Sequence, residues 1–106
     1  KSYWPKKKQI LSFSMYLRVN NIKFVSKIEA DAMRALAKYE MIDNLPGIIS
    51  IETINVSDLH SIVILKFNDK ESADKSRPVY IDKIKQNPNI KVESFEGERD
   101  FIVEKS

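Results

Sequence analysis

The stretch SIVILKF, residues 61–67, constrains the fold most, because five of its seven residues are apolar and on a strand they fall on both faces. Val63, Leu65 and Phe67 would point one way, Ile62 and Ile64 the other. Such a strand needs cover on both sides of its sheet. A chain of 106 residues holds helices enough for only one side. Whatever covers Ile62 and Ile64 is therefore the first question this sequence raises.

The rest of the chain supplies the elements around that strand. In LSFSMYLRVN, residues 11–20, Leu11, Phe13, Met15, Leu17 and Val19 share one face, and Ser12, Ser14, Tyr16, Arg18 and Asn20 the other. That period of two predicts a strand. A helix follows from Val25 to Asn44. Ser26 and Glu29 form a capping-box signature, with Val25 placed as a staple. Ile28, Ala32, Ala35, Tyr39 and Ile42 form its apolar arc, with Leu36 on the shoulder and Met33 and Met41 off it, at an edge. Leu45-Pro46-Gly47 ends the helix.

IISIETINV, residues 48–56, is a strand whose apolar residues change face part-way, which predicts a bulge. It forms a hairpin with SIVILKF. Asn68 and Glu71 open a second helix, with Ala73, Tyr80, Ile81 and Ile84 as its stripe and Pro78 kinking or restarting it. IKVESFEGERDFIV, residues 90–103, is then a strand pair, or one long strand bulged at Gly97. The order β-α-β-β-α-β predicts an α+β, ferredoxin-like fold, an antiparallel sheet with both helices on one face. The simplest cover for the other face is a second copy of the same sheet, with Ile54, Ile62 and Ile64 in a homodimer interface.

Composition narrows the function classes. There are no cysteines, so no disulfide, no thiolate nucleophile and no Cys-based metal site, as suits a reducing, cytoplasmic setting. No apolar run approaches the ~20 residues that span a bilayer, and no signal-peptide pattern is visible. The first residue is Lys1 rather than Met, as in a processed or trimmed product. The net charge of +3 resides in the opening KSYWPKKK: without its four lysines, 14 basic residues face 15 acidic ones. Residues 1–10 read as a basic arm or linker and 11–106 as a single domain. The arm's aromatics and lysines resemble nucleic-acid contacts, but the body carries no basic stripe, so neither nucleic acid nor membrane is an expected partner. Gly47 and Gly97, the only glycines, cannot form a phosphate loop.

The segments NLPGIISIETINV, HSIVILKFNDKESADKS and FEGERDF together resemble the dimeric α/β-barrel superfamily, in particular its antibiotic-biosynthesis-monooxygenase-like branch, over about residues 11–104. The resemblance implies two sheets paired into a barrel, and a small dimeric protein that binds or oxidises a phenolic or quinone-like molecule without metal or flavin. Its oxygenase and heme-degrading members carry an Asn on the first strand, a Trp near the third and a His on the second helix. Asn20 matches the first. The only Trp is Trp4 in the arm and the only His is His60 in the hairpin connection, so heme degradation is not expected. ACT-type and Lrp-type modules share the same element order, and a metabolite-sensing regulatory module is the alternative.

The candidate ligand-binding residues are Tyr16, Arg18, Asn20, His60 and Tyr80. If the apolar face of the first strand meets the helices, Tyr16, Arg18 and Asn20 enter the space between two paired sheets, where they could orient an anionic or phenolic ligand. His60 is the only imidazole, with no partner at triad spacing and no companion ligands for a metal. Tyr39 and Tyr80 lie on inner helix stripes, their hydroxyls at the rim.

Overall fold

The computed structural model describes residues 9–11 and 15–105. The lysine-rich opening and Phe13 lie outside the described residues. The chain runs β1 (Gln9–Leu11), β2 (Tyr16–Phe24), α1 (Lys27–Leu36), a π-helical turn (Ala37–Met41), α2 (Ile42–Asn44), β3 (Ile48–Ser57), β4 (His60–Phe67), α3 (Lys70–Ser76), α4 (Ile81–Lys85), β5 (Ile90–Glu98) and β6 (Ile102–Glu104). Four strands form one antiparallel sheet in the order β3-β4-β2-β5, which is the ferredoxin-like topology. SIVILKF is the body of β4, paired on both sides. β1 and β6 pair separately, with Ile10 opposite Val103.

The helices cover the face opposite to the one that the alternation of residues 11–20 suggested. Tyr16, Arg18, Asn20, Ile22 and Phe24 of β2 are buried towards the helices, while Leu17 and Val19 look out on the open side. The reason lies beyond Asn20. β2 continues to Phe24, and Ile22 and Phe24 share the face of Tyr16, Arg18 and Asn20 at a period of two. Val63, Leu65 and Phe67 complete this buried layer.

α1 also turns a different stripe inward. Ala30, Met33, Ala37 and Met41 are buried, whereas Ile28 is 82% and Tyr39 70% exposed, and Ala32, Ala35 and Ile42 face solvent too. Small side chains at 30 and 37 let the helix approach the sheet, and the methionines fill the gaps between. The π-helical turn adds a residue to one turn, which keeps Met41 on the inner side. Ser26 caps the helix, its Oγ accepting from Glu29 N at 3.3 Å. Val25 is exposed and staples nothing.

The hairpin β3–β4 forms as expected, with register shifts at residues 48–50 and 55–57 of β3. α3 is capped by Asp69, whose Oδ1 accepts from Ser72 N at 2.8 Å. The expected cap, Asn68, lies one residue before it, and its N–H donates to Gly47 O at 2.9 Å. The chain breaks after Arg77-Pro78 and restarts at Ile81. Gly97 sits opposite Leu17 in unbroken register, without a bulge, and β6 pairs with β1 rather than folding back on β5. No helix among the described residues is long and apolar enough to cross a membrane.

Candidate functional site

Between the sheet and the helices lies a small cavity of about 20 Å³, room for about one water molecule. Most of its wall is apolar: Ile22, Val63 and Leu65 from the sheet, Met33, Ala37 and Met41 from α1 and its π-helical turn, and Ile81 and Ile84 from α4. Its polar lining comes from Arg18, Asn20, Ser76 and Tyr80.

Arg18 is only 2% exposed. Its Nε donates to Glu96 Oε2 at 3.0 Å, Nη1 to Ser76 Oγ at 2.9 Å and Nη2 to the Ala73 carbonyl at 2.8 Å. The guanidinium also stands 5.4 Å from the Phe67 ring centroid. A guanidinium has five N–H bonds, so two remain beyond these three. Glu96 also accepts from Tyr16 Oη at 3.1 Å and from Arg77 Nη2. Burial alone would raise the Glu96 carboxyl, but the hydrogen bonds and charges of Arg18, Tyr16 and Arg77 outweigh it and hold the group below the usual carboxylate range. Tyr16 moves the other way: burial, then the hydrogen bond to Glu96 and its negative charge, push the phenol up.

Asn20 is 5% exposed. Its Oδ1 accepts from Ser94 Oγ at 2.7 Å, and its amide NH2 has no protein acceptor among the described residues. Turning the amide over would leave its oxygen unpaired instead. Either way, one polar end of this cavity-lining side chain has no protein partner among the described residues.

The five ligand-binding candidates are thus divided. Arg18, Asn20 and Tyr80 share the cavity. Tyr16 lies on the same side of the sheet, its hydroxyl committed to Glu96. All four sit between sheet and helices; Tyr16, Arg18 and Asn20 are therefore not, as expected, between two sheets, while Tyr80 lies on the inner side of its helix as expected. His60 is on the opposite face, where its Nε2 is hydrogen-bonded to Asn21 Oδ1 and it pairs across the strands with Lys23. The Tyr80 hydroxyl is engaged with Asn44 and Glu40. Sequence reasoning missed Glu96 and Ser76, which position Arg18. A buried arginine on a strand demands a carboxylate, but nothing local to Arg18 indicates which one.

The open face carries Leu17, Val19, Ile54, Ile62, Ile64 and Phe95, which adjoin one another across the four strands. Phe95 is 60% exposed. The three residues expected at a dimer interface all lie here.

No family model matches the chain, and no curated protein is similar to it in sequence. Solved structures are similar in fold. SnoaB, a cofactor-independent oxygenase from Streptomyces nogalater, aligns with a TM-score of 0.59 at 13% identity, over 81% of this chain and 91% of that one. An asparagine-to-alanine mutant of SnoaB gives the same score over 80% and 90%. The protein SO0527 from Shewanella oneidensis aligns with a TM-score of 0.54 at 13% identity, over 86% and 97%. The chain shares its fold with these proteins. At this identity the likeness concerns fold, and it agrees with the resemblance to the antibiotic-biosynthesis-monooxygenase-like branch. The open sheet face and the cavity on its other side are separate surfaces.

Proposed function

We propose that this protein binds a small planar phenolic or quinone-like molecule in the cavity between sheet and helices, as a homodimer paired through the open sheet face. The observation that carries the reading is the unpaired amide of Asn20 beside Arg18 on an otherwise apolar wall. That amide end is not sealed from solvent, and a ligand oxygen can accept from it in place of water. Arg18 has two N–H bonds beyond those to Glu96, Ser76 and Ala73, and Glu96 balances the guanidinium charge when the cavity holds no anion. The fold shared with a cofactor-independent oxygenase supports a further step in which the bound phenolate reduces dioxygen. The phenol then gives up two hydrogens, one oxygen atom enters as a quinone carbonyl and the other leaves as water.

The test uses 1-naphthol as the probe, followed through methyl NMR signals and an oxygen electrode. Shifts at Ala37, Met41, Val63 and Ile84, weakened at least about tenfold by Asn20→Leu, support the site. Shifts confined to Ile62 and Ile64, or none, remove it. Binding without oxygen uptake across a panel of phenols would leave a binding protein and discard the oxidation.

A further inference from the structure

A cavity sized for one water cannot hold a ring, so a ligand needs a wall that moves. The sheet side is fixed by hydrogen-bonded ladders on both sides of β2 and β4. The side that can give is α4. It is five residues long, follows the break at Arg77-Pro78 and has no side-chain cap at its start. A helix this short has little stability of its own. It covers the cavity with Ile81 and Ile84 while the π-helical turn forms the facing wall with Ala37 and Met41.

One side chain spans these two walls. Asn44 Nδ2 donates to Tyr80 Oη at 3.2 Å, and Tyr80 Oη donates to Glu40 Oε1 at 3.4 Å. Asn44 Nδ2 also donates to the Glu40 carbonyl at 2.9 Å, so the acceptor side is itself braced. At the far end, Asn87 Nδ2 donates to Glu29 Oε2 at 3.2 Å, which ties the exit of α4 to the first turn of α1. The segment is therefore held at two points with the cavity between them. The Tyr80 contacts are solvent-exposed, so water can replace them when the segment lifts.

We infer that Tyr80 is a latch: its hydroxyl bonds to Glu40 and Asn44 hold α4 over the cavity, and their release opens the site to its ligand. This inference rests on the proposed cavity site for the ligand's identity, but the latch itself can be observed without one. Amide exchange in the uncomplexed full chain is measured for wild type, Tyr80→Phe and Asn44→Ala. Both variants should speed exchange at the helical amides of Ile84 and Gln86 by about fivefold, the worth of one such hydrogen bond, and leave the β2 and β4 amides unchanged. The association rate of 1-naphthol should rise by the same factor in Tyr80→Phe. Unchanged exchange at Ile84 and Gln86 in both variants overturns the latch, whatever naphthol does. Equal acceleration in β2 and β4 also overturns it, because it reports general loosening. If exchange rises locally and naphthol binds none of the three proteins, the latch stands and the proposed ligand falls.

Discussion

Arg18 shows how a strand can turn its polar face to the core. The guanidinium is almost wholly buried, which is tolerable only because Glu96, Ser76 and the Ala73 carbonyl converge on it. Removing it leaves the half-buried Glu96 with Tyr16 and Arg77 alone. Arg18→Ala should lower stability by about 3–5 kcal/mol, read from urea denaturation. Glu96 gives a pH signature. Its carboxyl titrates below the ordinary range in the folded chain, so folding favours the ionised form. Its contribution is complete at neutral pH and is lost as pH falls through the folded value. Glu96→Gln should therefore be less stable than wild type at neutral pH, and the difference should shrink as the urea midpoint is followed down to about pH 3. A gap that stays constant with pH would remove Glu96 from the acid limb.

Among the elements, existence was more legible than orientation. The alternation through residues 16–20, the Ser26 cap, the hairpin and the break at Pro78 are all local signals, and each corresponds to a feature of the fold. Which face each element buries is decided by its partners. On β2 the decisive residues were Ile22 and Phe24, two and four residues past where the clean pattern stops. On α1, large aliphatics at 28 and 42 outweigh alanines at 30 and 37 on any hydropathy count, yet the close sheet–helix approach selects the alanines. The cavity inherits this uncertainty, since Arg18 and Asn20 face it only because β2 is turned as it is. Their carboxylate, Glu96, comes from the other end of the chain. Two turns offer direct checks. Asp69→Ala removes the α3 cap and should cost about 1 kcal/mol. Gly47 has a positive φ of 63°, and a Cβ there would collide with Ser72. Gly47→Ala should therefore cost more than the roughly 1 kcal/mol that a compatible glycine site would gain, and Ser72→Gly should recover only part of the loss. Thermal melts of the three variants decide both points.

For the whole molecule, the two-faced strand β4 remains the governing feature. Its inner residues Val63, Leu65 and Phe67 are buried under the helices, while Ile62 and Ile64 sit among Leu17, Val19, Ile54 and Phe95 on the open side. Ile64→Glu places a charge in the middle of that side. Light scattering behind size exclusion should give a dimer mass for wild type and a monomer or unfolded chain for the variant. A folded wild-type monomer would remove the sheet-to-sheet pairing. Pairing of this kind has a further consequence, because it makes folding a reaction of mass action. Apolar surface that one chain leaves wet is withdrawn from water only when a second arrives, so each protomer acts as the other's stabilising ligand. Dilution would then act as a denaturant, and the melting temperature should climb with protein concentration.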